Sequence, residues 1–170
     1  MRLIILGAGG HGKVVADLAK QIGKYEHIYF LDDTSEDFNI LGKCIDFKKF
    51  NTPDTEMYPA FGNNTRRIKW KDKIEDAGIK LAKIIHPLAY VSPEAIISDG
   101  CVVMPYAVIN TGTVLNKACI VNIGALIDHD CVLEEGCHIA PGGIVKGENH
   151  LPKGTKVDSG EVVALQFYKK

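Results

Sequence analysis

A chain of 170 residues, 46% apolar and 24% charged, holds enough apolar material to bury a core in one large domain or two small ones. Its 20 basic residues are matched by 21 acidic ones, a formal charge of −1, so the basic field needed to bind a phosphate backbone is missing and nucleic acid is not an expected partner. The apolar run at 3–6 is too short to span a bilayer or to form a signal core, and the expected location is the cytoplasm.

Up to about residue 87, short apolar runs alternate with amphipathic stretches, the pattern of βα units on a parallel sheet. Residues 2–6 predict a strand, and 13–22 predict a helix with Val14, Val15, Leu18, Ala19 and Ile22 on one face. Further strands are expected at 27–31 and 57–61, a helix at 66–77 and a closing strand at 81–85. Between 34 and 55, Gly42, Pro53 and scattered charges predict a crossover of loop and short elements. Trp70, alone on a helix, reads as packing, and His86 as a linker residue.

The turn Gly7-Ala8-Gly9-Gly10-His11-Gly12 follows a strand and opens a helix, where backbone N–H groups and the helix terminus receive phosphate. Asp32 and Asp33 close the second strand and are placed to bind a ribose or base. The turn fits the glycine pattern of a dinucleotide site, and a nicotinamide-dependent oxidoreductase is one candidate. Only one mononucleotide-sized half is present, however, and a nucleotide sugar fits it better. The plainer alternatives are a tight ligand-free connection for the glycines and a cap or loop role for the two aspartates. Asn63, Asn64, Arg66 and Arg67 open the next helix, as sugar or phosphate contacts or as a solvated helix start.

From Val91 the pattern changes. Aliphatic residues recur at every sixth position through Val163, thirteen times without an insertion. A small residue such as Cys101, Ala107 or Thr113 precedes the next aliphatic by two, so both point to the same side of a short strand, inward. Gly, Asn, Asp and Ser fill the turns. Three hexads close one triangular coil, residues eighteen apart stack, and the run makes about four coils. An antiparallel domain of short strands has no such strict period. The expected architecture is an α/β Rossmann-like domain at 1–87 followed by a parallel β-helix of hexapeptide repeats at 88–170. Cys101, Cys119 and Cys137 then form an inward ladder of small reduced thiols. None of the five cysteines sits in a CxxC pair or metal-type cluster, so no metal is expected.

The hexads, together with GAGGHG at 7–12, FLDD at 30–33, FGNN at 61–64 and MPYAVIN at 104–110, resemble the sialic acid O-acetyltransferase-like family of sugar acetyltransferases, nearly throughout to Gly147. The resemblance implies a left-handed β-helix, a homotrimer, and acetyl transfer from acetyl-CoA to an amino group on a nucleotide-linked sugar. Acyl transfer needs a base, and His129 falls at an outward corner of a coil, with Thr111 and Gly147 one coil to either side. The resemblance matches His129 to the base and Asp130 to its acidic partner. An aspartate is a methylene shorter than the family's glutamate, so the pairing is expected to be looser or to draw on Asp128. The resemblance also matches His138 to a coenzyme A contact, Gly9, Gly10 and His11 to the pyrophosphate, Asp32 and Asp33 to the uridine side, and Gly62 to the same pocket. Gly143, with Gly142, is a candidate by location for the donor to the thioester oxygen on the coenzyme side.

The end of the chain departs from the family pattern. Relatives usually continue through further coils into a tail that helps hold coenzyme A, whereas here the hexads thin at 146–150 and the chain stops at Lys170. Asn149 and Glu161 at inward positions predict an irregular or open last coil, with Leu165, Phe167 and Tyr168 as a cap. The adenine-end contacts then come from a neighbouring subunit, are weak, or are absent. Walls bearing Ile120, Leu126 and Val132 are the expected trimer surfaces. The remaining functional alternatives are a sugar O-acetyltransferase and a nucleotide-sugar-binding scaffold without transfer activity.

Overall fold

The run Leu3-Ile4-Ile5-Leu6 is wholly buried, as expected of a central strand in a parallel sheet covered on both faces. The structure, a computed structural model, describes residues 1–35 and 39–165, which separate into two units, Met1–Ile84 and Ile85–Lys170. The first contains β1 (Arg2–Leu6), α1 (Gly10–Ile22), β2 (His27–Leu31), β3 (Ile40–Gly42), a 3₁₀ segment (Cys44–Phe50), β4 (Thr55–Pro59), α2 (Asn64–Asp76) and β5 (Lys80–Leu81). The strands pair in parallel in the order β3-β2-β1-β4-β5. The chain runs outward from β1 through β2 to β3, then returns to the other side of β1. This reversal leaves a crevice beyond the carboxyl ends of β1 and β4, where both helices begin.

Several boundaries differ from the sequence expectation. Helix α1 starts at Gly10, three residues early, and Val14 falls outside its buried face at 41% exposure. The third strand lies at Thr55–Pro59 because Glu56 is buried inside it, its charge met by Lys24 and Lys80 at 2.7 Å each and by the Tyr25 hydroxyl at 2.5 Å. Buried carboxylates of this kind are invisible to a hydropathy pattern. Trp70 packs as expected, edge-on to Phe47 and stacked on Phe61.

The predicted strand at 81–85 is two strands in different sheets: β5, and β6 (Ile84–Ile85), which opens the β-helix. From there two-residue strands form three parallel sheets of five, five and four strands, every pairing stepping eighteen residues, as in Val108–Leu126–Ile144. Among the described residues the result is four complete coils of a left-handed β-helix plus two strands of a fifth. From Gly100 onward each turn has a left-handed residue. Glycine takes most of these positions, and Tyr106, Ala118, Asp130 and Glu148 take the rest at φ of 55–59°.

The small and aliphatic inward residues pack into one core as anticipated. The small position is also a donor. The thiols of Cys101, Cys119, Cys131 and Cys137 reach the carbonyls of Asn116, Glu134, Lys146 and Pro152 at 3.1–3.3 Å, and Thr113 Oγ1 reaches Asp128 O at 2.7 Å. Each side chain thereby ties its coil to the carbonyl fifteen residues on.

This device corrects the expectation of an irregular end. Asn149 is 1% exposed, and its Nδ2 donates to Lys146 O at 2.7 Å and Ala164 O at 3.1 Å, so an amide fits the inward position. The strands His150–Leu151, Lys156–Val157 and Val162–Val163 keep register with the coil before. Glu161 instead lies exposed, accepting from Asp158 N at 2.7 Å. Of the expected cap, Leu165 is 40% exposed, while Phe167 and Tyr168 lie outside the described residues. The expected trimer walls also change: Ile120 is fully buried within the chain and offers no free surface. The exposed apolar line runs along Tyr90, Val108, Leu126, Ile144 and Val162, with Tyr90, Leu126 and Val162 at 55%, 39% and 48%.

Candidate active site

The crevice of the first unit opens into a cavity of about 380 Å³ lined by Gly7, Gly9, Gly10, His11, Asp32, Asp33, Phe61, Gly62 and Arg66 among others. The glycine turn divides into two roles. Gly7 has a φ of +104°, and a side chain on Gly12 would run into the Gly7 carbonyl, so these two build the turn. Gly9 and Gly10 have nothing within 4 Å of a would-be Cβ and face open space. Gly9 caps α1 without a side-chain bond, and no acidic residue occupies the first turn, which leaves the positive helix end suited to an anion. His11 Nε2 stands 3.4 Å from the Tyr58 hydroxyl.

The two aspartates do different work. Asp32 Oδ2 accepts from Ala8 N at 2.7 Å, and Oδ1 from Thr34 N, Thr34 Oγ1 and Ser35 N at 2.9 Å each. Burial alone would raise its pKa, but these hydrogen bonds outweigh it and hold the carboxyl at about 2. Asp32 thus fastens the glycine turn to the 32–35 loop, and at most one lone pair remains for a ligand. Asp33 keeps more freedom: Oδ1 accepts from Cys44 N at 3.0 Å, and Oδ2 lies 3.8 Å from the Arg66 guanidinium, which rests 4.2 Å from the centre of the Phe61 ring. Arg67, next to it, is fully buried and donates to Phe61 O and Asn64 Oδ1. Of the residues opening α2, Arg66 therefore faces the cavity, Arg67 holds the loop, and Asn63 caps the helix by accepting from Arg66 N at 2.8 Å. Sequence alone left these roles undivided because neighbouring arginines differ only in which face of the helix start they occupy.

In the second unit His129 Nδ1 meets Asp130 Oδ2 at 2.8 Å, with the side chains 44% and 62% exposed. The shorter aspartate reaches directly, so the looser pairing expected for it does not occur. Asp130 sits at a left-handed corner, φ 55°, and this turn brings its carboxylate back alongside the preceding ring. Asp128 plays a separate part, in the backbone of the turn. Its carboxylate accepts from His129 N at 2.8 Å and from Asn110 Nδ2 at 3.3 Å, fixing the corner. The hydrogen bond to Asp130, followed by the charge of Asp128, raises the His129 pKa above its ordinary value. With Nδ1–H held by the carboxylate, Nε2 is the basic nitrogen. Beside this turn runs a groove of about 250 Å³ with Val108, Leu126 and Ile144 along it and Asn110, Asp128 and Lys146 at its polar side.

His138 occupies an outward strand position between Ile120 and Lys156, half-buried, with Nε2 3.2 Å from Asn122 Nδ2. The expectation for Gly142 and Gly143 is corrected: their N–H groups already donate to Ile123 O and Ala140 O at 2.9 Å, and Gly143 is a buried inward residue. Neither amide is open to a thioester oxygen. Among the described residues no three His, Cys, Asp or Glu side chains are grouped to hold a metal ion, and no helix is long and apolar enough to cross a membrane.

Residues 2–74 match the family model described as the PglD N-terminal domain. The UDP-N-acetylbacillosamine N-acetyltransferase of Bacillus subtilis (strain 168) is 30% identical over 106 residues, 58% of this chain and 49% of that protein. The match thus spans about half the length of the curated relative. Among solved structures, the acetyltransferase domain of PglB from Neisseria gonorrhoeae FA1090 superposes with a TM-score of 0.83 and 36% identity, over 99% of this chain and 93% of that one. The same domain has been solved in complex with acetyl coenzyme A. A perosamine N-acetyltransferase from Caulobacter crescentus, in complex with CoA and GDP-perosamine, gives a TM-score of 0.86 and 27% identity over 96% of this chain and 89% of that one. With identity of this level spread across both units, the chain belongs to the sialic acid O-acetyltransferase-like family of sugar acetyltransferases.

Proposed function

We propose that this chain transfers the acetyl group of acetyl-CoA to an amino group of a nucleotide-linked amino sugar, with His129 as the general base. The observation that carries this is the His129–Asp130 pair at 2.8 Å on an exposed coil corner, in a chain 36% identical to an acetyltransferase domain. The sugar amine attacks the thioester carbonyl carbon as His129 Nε2 removes its proton. The tetrahedral intermediate then expels the coenzyme A thiolate, which takes a proton from the imidazolium, so base and product are both restored. Asp130 keeps Nδ1 protonated and stabilises the imidazolium while it lasts.

The helix start at Gly9, Gly10 and His11 suits the diphosphate, and Asp33 with Gly62 the nucleoside side of the same cavity. The apolar groove beside His129, with the Lys146 cation at its polar side, fits the arm of acetyl-CoA, and His138 is assigned to the coenzyme. A uridine diphosphate sugar is the first acceptor to test, following the 30% identical relative named for one, with a GDP-linked 4-amino sugar as comparison. The enzyme works as a cytoplasmic homotrimer in which each histidine turn faces a neighbouring subunit's groove. Light scattering reporting a monomer at micromolar concentration would reject the trimer. The activity itself is tested by thiol release from acetyl-CoA with each nucleotide amino sugar. Release that does not depend on the sugar, or survives unchanged in His129→Ala, would count against it.

A further inference from the structure

The hexad register stacks each residue on those eighteen positions away, and at the histidine turn this places both members of the pair against glycine. A Cβ on Gly147 would lie 2.8 Å from His129 Nε2, 2.9 Å from Cε1 and 3.2 Å from Cδ2. Three nearly equal distances to one side of an imidazole put that point over the ring face, at the edge carrying Nε2. All are well inside ordinary van der Waals contact. Gly112, eighteen residues before Asp130, is the counterpart: a Cβ there would run into Asp130 Oδ1.

The two glycines differ in what requires them. Gly112 has a φ of +67°, so its backbone alone calls for glycine. Gly147 is absent from the left-handed positions, and alanine can adopt its backbone conformation without strain. The three nearest atoms to a side chain there all belong to the His129 ring, at 2.8–3.2 Å.

We propose that Gly147 is a positioning residue for the His129 base: its bare Cα is the surface on which the imidazole lies flat, with Nδ1 directed at Asp130 and Nε2 free to take a proton. This rests on the reading of His129 as base. A methyl at 147 pushes on the far end of a flexible, 44% exposed side chain, so the ring yields rather than the coil. The fold survives, and the aim of Nε2 and the bond to Asp130 are lost.

The test is Gly147→Ala beside His129→Asn, assayed for thiol release with both substrates varied, for melting temperature, and for His129 titration by NMR in the substrate-free protein. The expected result for Gly147→Ala is a fall in kcat of about tenfold or more, of the size that misplacing a catalytic group produces. KM for the nucleotide sugar stays within about twofold, the melting temperature moves by no more than about 2 °C, as for a surface change, and the His129 pKa falls toward its ordinary value. Unchanged kcat overturns the proposal. So does a fall in kcat with the His129 titration unaltered, which means the ring has not moved, and so does a large loss of melting temperature, which means the coil yielded instead. If His129→Asn remains active, the base assignment falls, while the titration of His129 in Gly147→Ala still decides whether Gly147 holds the ring.

Discussion

Asp32→Asn separates a loop-organising carboxylate from a ligand-binding one. The Asp32 carboxyl is held at about 2 against an ordinary 3.8, a preference for the charged form worth about 2 kcal/mol at neutral pH, and nearer 1 after solvent screening of a half-buried loop. Asparagine keeps an oxygen for Thr34 and Ser35, but its NH₂ then opposes the Ala8 N–H, which adds a similar cost. For a unit of this size about 1–2 kcal/mol lowers the melting temperature by roughly 5–10 °C. The single tryptophan, Trp70, lies in the first unit, so urea melts followed by its fluorescence report on that unit alone. Because the folded pKa is depressed, the stabilisation is fully present above the unfolded value and is lost as pH falls from about 4 toward 2. The gap between parent and variant should therefore be constant from pH 7 to 5 and narrow below 4. A variant with an unchanged urea midpoint and no nucleotide binding would refute this division of labour.

Asp33→Asn should do the reverse, leaving the urea midpoint within about 0.5 kcal/mol while weakening nucleotide-sugar binding by on the order of tenfold in calorimetry. In Asp130→Asn the support that raises the His129 pKa is removed. Since the base must be neutral, the acid limb of the kcat profile should move to lower pH, and the plateau should fall on the order of tenfold or more. Asn149→Ala removes the amide that joins the Lys146 and Ala164 carbonyls and should cost about 2 kcal/mol in denaturant unfolding, without altering the KM for the nucleotide sugar.

The β-helix was legible because its rule is local and repeats: an aliphatic every sixth residue and a small partner two before it specify each coil without knowledge of the others. The inward donors were not, since Cys, Thr and Asn at the small position share size but little hydropathy, and their common bond spans fifteen residues. Asn149 consequently looked like a break in a pattern that it continues. In the α/β unit the glycine turn announced a cavity. That Gly7 and Gly12 build the turn while Gly9 and Gly10 face open space follows from backbone geometry that the letters alone do not carry. Asp32 and Asp33 are neighbours in sequence and part company only through the direction each carboxylate takes. The His129–Asp130 pair was found by register and resemblance, but its closure at 2.8 Å depends on the left-handed conformation of Asp130. Ile120 shows the opposite limit: its outward register was correct, yet it is fully buried.

Thiol release from acetyl-CoA by the parent protein and by His129→Asn, with UDP- and GDP-linked 4-amino sugars, bears most directly on the proposed chemistry. The prediction is release that requires the amino sugar, matches it mole for mole as N-acetyl product, and falls by about a thousandfold or more in the variant. No release with either sugar class, or equal rates in parent and variant, would contradict it.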